Sequence, residues 1–189
     1  MTIETDQEIA RLVQAGDKEA FGLLIERYEK RILRYGRRFL SDNDDITDVV
    51  QDVFVKAYIN INDFDVSRSF SSWIYRIAHN EYVNRLKKKK QIPFSFFEWR
   101  SDIIFPHLIA NEESDYVASS RIDRDMLEKC MSELVPNYRE VLVLSFYEEL
   151  SYQEISEILH VPISTVGVRL RRAREAVRKI YEKKYGTTY

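Results

Sequence analysis

Apolar residues recur at three-to-four spacing through much of the chain, and each such run predicts an amphipathic helix. The first runs from about Asp6 to Ala15, with Thr5 or Asp6 placed to cap it and Gly16 placed to end it. Asp17 can cap a second helix, on which Ala20, Phe21, Leu24, Ile25, Tyr28, Ile32 and Tyr35 form one face. The polar run Ser41, Asp42, Asn43, Asp44 breaks the pattern. A third helix carries Ile46, Val49, Val50, Val53, Phe54 and Ala57 and ends near Ile61. Asn62, Asp63, Phe64 and Asp65 read as a loop. Ser67 or Ser69 can then cap a fourth helix bearing Phe70, Trp73, Ile74, Ile77, Ala78 and Val83, which runs into the lysines at 87–90.

The pattern lapses after residue 90. Pro93 and Pro106 oppose continuous helix, and acids outnumber bases from Glu98 to Asp125. Residues 91–122 therefore read as a linker. Its cluster Phe94, Phe96, Phe97, Trp99, Ile103, Ile104, Phe105 and Leu108 is too apolar for a solvated tether, so this segment is expected to dock. Helical spacing resumes near Ile122 with Met126, Leu127, Cys130, Met131 and Leu134. Pro136 then opens a helix carrying Tyr138, Val141, Leu142 and Leu144. The fold expected is all-α, with two small helical modules, 1–90 and 123–189, joined by the linker.

Near the C-terminus the chain takes a form tied to one kind of chemistry. Ser151, Tyr152, Gln153 and Glu154 read as a capping box opening a helix through Leu159. His160, Val161 and Pro162 break it. Ser164 can cap a second helix, with Val166, Leu170, Ala173 and Val177 facing inward. Two short helices joined by such a turn predict a helix-turn-helix. The second helix concentrates Arg169, Arg171, Arg172, Arg174, Arg178 and Lys179. Guanidinium groups bind phosphates and the acceptor edge of guanine, and the first residues of such a helix approach base edges in the major groove. Ser164, Thr165, Val168, Arg169 and Arg172 are the candidates for base contact, and Arg171, Arg174 and Arg178 for phosphate contact or for pairing with neighbours such as Glu175.

The fourth helix suggests a different form of nucleic acid. Arg68, Arg76, Arg85 and the lysine run are interleaved with Phe64, Phe70, Trp73, Tyr75, His79 and Tyr82. Cations can follow a backbone while aromatic faces receive unstacked bases, at about 1–3 kcal/mol per base. Phe70 and Trp73 share a stripe with Ile74 and Ile77 and read as core. Tyr75, Arg76, His79, Asn80 and Tyr82 read as the exposed contacts.

Composition narrows the classes. The formal net charge is −2, so the distribution of charge carries the signal rather than its sum. The lone cysteine, Cys130, sits among apolar residues and reads as a packing thiol. No apolar run has the length of a membrane span, and the acidic start with Glu4, Asp6 and Glu8 is unlike a secretion signal, so a cytoplasmic protein without direct membrane insertion is expected. No metal or cofactor motif stands out, and the expectation is no cofactor and no enzyme. Two classes of nucleic-acid-binding protein fit these features. One is a conventional helix-turn-helix regulator acting without polymerase. The other is a nucleic-acid enzyme using Asp44, Asp45, Asp48 and Asp52, which their helical placement and the lack of converging histidines argue against.

Three segments, DITDVVQDVFVKAY at 45–58, FSSWIYRIAHNEYVNRLKKKK at 70–90 and LSYQEISEILHVPISTVGVRLRRAREAVRK at 150–179, together resemble the extracytoplasmic-function (ECF) group of bacterial sigma factors. The resemblance covers nearly the whole chain, in the family's order. It implies an alternative sigma factor that binds core RNA polymerase, through its clamp coiled coil and flap, and directs initiation at promoters. Asp45, Asp48, Gln51, Asp52 and Lys56 match the helix that such factors place on the clamp. The loop 60–69 matches the family's specificity loop, which captures a flipped base of the −10 element, with Asn62, Asp63, Phe64 and Asp65 as pocket residues. Tyr75, Arg76, His79, Asn80, Arg85, Lys87 and Lys88 match the adjoining single-strand surface. The helix-turn-helix matches the reader of the duplex −35 element. The resemblance also implies an anti-sigma partner able to hold the protein at the membrane. Gly167 departs from the basic residue common at that position in the family.

Overall fold

In a computed structural model of the chain, the described residues are 5–37, 39–40, 42–88 and 124–186. They are helical, with no strand among them. They group into two compact units. One comprises the described residues up to Lys88 together with Gln153–His160, and the other the remaining described residues from Arg124 to Gly186. The linker 91–122 and its aromatic cluster lie outside the described residues.

In the first unit, α1 spans Asp6–Gln14, α2 Ala20–Gly36, α3 Asn43–Ile59 and α4 Phe70–Lys88, with a single 3-10 turn at Ile61–Asp63. Helix α1 opens on a capping box. The Thr5 hydroxyl accepts from the Glu8 N–H at 3.2 Å, and the Glu8 carboxylate accepts from the Thr5 N–H at 2.7 Å. Those bonds from Thr5 hold the Glu8 carboxyl below the usual carboxylate range. Gly16 ends the helix at φ 104°, a left-handed conformation that favours glycine. Asp17 then accepts from the N–H groups of Glu19 at 3.1 Å and Ala20 at 3.2 Å. Asp6 pins α1 to α2, accepting from Arg27 Nη1 at 2.6 Å and from the Tyr28 hydroxyl.

All six apolar positions expected on α3 are buried, and Asp42 caps that helix by accepting from the N–H groups of Asp44 and Asp45. Helix α4 buries Phe70, Ile74, Tyr75, Ala78 and Tyr82, while Trp73 and Ile77 are half-buried. Phe70, Ile74 and Ala78 face inward as expected, but Tyr75 and Tyr82 widen the inner face to the side away from Trp73 and Ile77. This corrects the reading of Tyr75 and Tyr82 as exposed contacts. Tyr75 is 0% and Tyr82 2% exposed. Their rings lie edge-on to Tyr35, at centroid distances of 5.4 and 5.7 Å. The Tyr82 hydroxyl donates to the Ile32 carbonyl at 3.1 Å, so its polar end is satisfied inside.

In the second unit, α5 spans Arg124–Ser132, α6 Pro136–Leu142, a π-helical turn Val143–Tyr147 and α8 Ile163–Tyr185, while α7, Tyr152–Leu159, is grouped from Gln153 onward with the first unit. Pro136 starts α6, as expected. Arg139 closes the end of α5 by donating to the carbonyls of Met131, Ser132 and Leu134 at 2.6–2.9 Å. Cys130, Met131 and Leu134 are buried, and burial pushes the Cys130 thiol up. Helix α8 packs against α5 and α6, and Lys184 near its end pairs with Glu133. Its cap is Pro162, whose carbonyl accepts from the N–H groups of Thr165 and Val166 at 2.9 and 3.2 Å. Ser164 therefore lies inside the first turn instead of capping it.

Candidate functional site

Three surfaces carry the residues singled out above. The first lies on α3 and α4. Asp48, Gln51, Asp52 and Lys56 are exposed along one side of α3, with Gln51 and Asp52 three and four residues after Asp48, and Lys56 four after Asp52. Arg85 of α4 reaches into this row. Its guanidinium lies 3.0 Å from Asp45, 3.5 Å from Asp48 and 3.9 Å from Asp52. One cation thus serves three carboxylates, and the group as a whole stays acidic. In the free chain Arg85 belongs to this cluster. A guanidinium so compensated has little positive potential left for a phosphate. Asp45 turns toward Arg85, with only 12% of its side chain exposed, while Asp48 and Asp52 remain open to a partner at 62% and 59%. Lys56 pairs across to Glu81 at 2.6 Å.

The second surface is the loop between α3 and α4. Asn62, Asp63 and Asp65 are exposed, whereas Ile61 and Phe64 are buried. Phe64 stands 5.4 Å from Phe70 and 5.1 Å from Trp73, ring to ring, and is 4% exposed. It packs inward and anchors the loop, with almost none of its own surface exposed. Burying a ring of this size stabilises by roughly 1.5–3 kcal/mol, which fixes the loop's base while its polar residues point out. Asp65 accepts from the hydroxyl of Ser67 at 2.7 Å and from its N–H at 2.9 Å, which holds the Asp65 carboxyl below its ordinary value. Ser69 caps α4, accepting from the Ser72 N–H at 3.3 Å. Beyond the loop, Arg76 and His79 are half-buried, and Asn80, Lys87 and Lys88 are exposed. No sequence signal pointed to Gln14, whose side-chain amide donates to the carbonyls of Ile61 and Phe64, 47 and 50 residues away.

The third surface is α8. Ser164, Val168, Arg171, Arg172 and Arg174 are exposed and Thr165 is half-buried, while Val166, Leu170 and Ala173 are buried. Arg169 is 8% exposed, so it is an interior residue and the reading of it as a base contact is corrected. At helical spacing, position 169 falls beside Leu170 and Ala173 on the inner side. Arg174 stacks over the ring of Phe146, 5.2 Å from its centroid, and Phe146 itself is exposed at the π-helical turn. Arg178 pairs with Glu182 at 2.7 Å one turn on.

Residues 24–92 match the family profile described as Sigma-70 region 2, and residues 124–177 the one described as Sigma-70, region 4. The ECF RNA polymerase sigma factor SigW of Bacillus subtilis is 36% identical over 172 residues, covering 88% of this chain and 91% of that protein. The chain belongs to the ECF group of RNA polymerase sigma factors. The RNA polymerase sigma-H factor of Pseudomonas aeruginosa is 34% identical, with 95% of each chain covered. Among solved structures, CnrH in complex with the cytosolic domain of CnrY shares the fold, with a TM-score of 0.68 and 24% identity over 96% of this chain and 99% of that one. Membership sets aside the conventional helix-turn-helix regulator. The function is that of an alternative sigma factor, which directs transcription initiation to promoters. No helix among the described residues is long and apolar enough to cross a membrane.

Proposed function

We propose that the three surfaces divide the work of initiation among them. Asp48, Gln51, Asp52 and Lys56 of α3, backed by Asp45, dock on a basic helical element of core RNA polymerase, the clamp coiled coil. The loop 60–69 presents Asn62, Asp63 and Asp65 to a flipped base of the −10 element. Arg76, His79, Asn80, Lys87 and Lys88 follow the opened strand. In α8, Ser164, Thr165, Val168 and Arg172 meet base edges of the −35 element, while Arg171 and Arg174 meet phosphates and a polymerase flap contact completes the docking. The modules are residues 1–90 and 123–189, with 91–122 as the linker between them. The protein catalyses no covalent step; it recognises, captures and positions.

The observation that carries this reading is the division of exposed chemistry. The loop offers outward amide and carboxylate groups suited to reading an unpaired base edge, whereas α8 offers guanidinium groups along a helix of major-groove dimensions. CnrH has been solved with the cytosolic domain of CnrY, and a sigma factor RpoE of Bartonella quintana with the anti-sigma factor NepR. That likeness supports an anti-sigma partner, and the proposal is of a cytoplasmic protein that such a partner holds at the membrane. Transcription from a genomic promoter pool with purified core polymerase tests the scheme. The full chain is expected to yield defined start sites, Asp52→Lys to lose core affinity, Asn62→Ala to lose −10 preference, and Arg172→Ala to lose −35 preference. A set of variants that all fail at one shared step would overturn the division.

A further inference from the structure

The loop between α3 and α4 is tied to α1 by two glutamines. Gln14 Nε2 donates to the carbonyls of Ile61 at 2.7 Å and Phe64 at 2.8 Å, and Gln7 Nε2 donates to that of Arg68 at 3.3 Å. A side-chain amide has two N–H donors, and Gln14 commits both to one short stretch of backbone. The two carbonyls bracket Asn62 and Asp63, so the amide closes the base of the segment whose tip faces outward. The platform beneath is rigid. Helix α1 is capped by Thr5 and Glu8, and Ile9, Ala10 and Val13 are buried. It also lies before residue 24, where the region 2 match begins.

We infer that Gln14 is a positioning residue for −10 recognition, holding the loop backbone in the conformation that reads an unpaired base. The inference rests on the reading of loop 60–69 as the base-capturing element. Selection among bases depends on donors and acceptors held within a few tenths of an ångström, and a loop ordered before binding does not lose that freedom on contact. Ile61 and Phe64 fix the loop's depth through burial, which is non-directional. Gln14 fixes its orientation, because hydrogen bonds are directional. Gln7 holds the far end at Arg68.

The test uses the full chain in reconstituted holoenzyme on a template pool randomised across the −10 window, with core affinity and thermal stability measured alongside. Gln14→Met keeps length and helix propensity but donates nothing, while Gln14→Arg keeps paired donors. Gln14→Met is expected to flatten −10 base discrimination about fivefold and leave core affinity within about twofold, and Gln14→Arg to restore most of the discrimination. Unchanged discrimination in Gln14→Met, where Asn62→Ala and Asp63→Ala do flatten it, overturns the positioning role alone. Unchanged discrimination in Asn62→Ala and Asp63→Ala overturns the underlying loop reading. Failure of Gln14→Arg to recover, or parallel loss of core affinity in Gln14→Met, makes Gln14 a folding residue and also overturns the inference.

Discussion

A Cβ built on Gly36 would lie 2.0 Å from the Tyr82 hydroxyl oxygen and 2.4 Å from the ring carbon that bears it. Tyr82 cannot swing aside, because its ring is 2% exposed and its hydroxyl is bonded to the Ile32 carbonyl. Gly36→Ala is therefore expected to destabilise the first unit by about 1–3 kcal/mol, the usual cost of overpacking, seen as a lower midpoint in urea unfolding. The same tyrosine sets an alkaline limit. Burial raises its pKa well above the ordinary 10.0. The unfolded chain therefore loses this proton at lower pH than the folded one, and the stabilisation present below pH 10 declines as the pH rises past that value. Tyr82→Phe should flatten that part of the pH profile at a cost of about 1 kcal/mol for the lost hydrogen bond. An unchanged alkaline slope would contradict this. These tyrosines also show why the sequence misled. Tyr75 and Tyr82 lie off the stripe of Phe70, Trp73, Ile74 and Ile77, so periodicity alone puts them outside. Only the fold reveals that Ile32, fifty residues away, receives one of those hydroxyls.

At the scale of elements, legibility followed side-chain type. The apolar positions of α3 are mostly aliphatic, with no polar end to satisfy, and all six were read correctly. Helix α4 mixes aromatic and polar residues on every side, so its periodicity is weak and its inner face was misjudged. The π-helical turn at Val143–Tyr147 left no trace in the pattern, since one extra residue in a turn alters no composition. The start of α8 was misplaced by two residues because a serine looks like a cap, while Pro162, with φ −58° and ψ 147°, fills that position. Gly167 is the weak point of α8. A Cβ there would meet only Tyr152 Cε2, at 3.7 Å, an ordinary contact. Gly167→Ala should then raise unfolding free energy by up to about 1 kcal/mol through backbone entropy alone. Calorimetry on the full chain checks it, and a lowered midpoint would mean that Tyr152 is packed more tightly than this distance implies.

Across the whole molecule, a net charge of −2 conceals strong segregation. Helix α8 carries eight basic residues against two acidic ones, whereas α3 carries four aspartates against one lysine. A chain so arranged has no general pull toward DNA, and like charges keep the acidic face of α3 away from phosphates. Duplex affinity should therefore be confined to α8. In the proposed scheme it becomes effective only once polymerase supplies the other contacts, because linked weak contacts gain from effective concentration. The consequence is measurable in salt. Each phosphate contact releases about one counterion, so Arg171→Ala in holoenzyme should reduce the slope of log affinity against log salt by about 1 on promoter duplex. Arg172→Ala should instead lose affinity mainly on templates with the preferred −35 sequence and little on templates lacking it. Identical behaviour of the two variants across salt and sequence would show that α8 binds as an undifferentiated basic surface, and the assignment of Arg172 to base edges would fall.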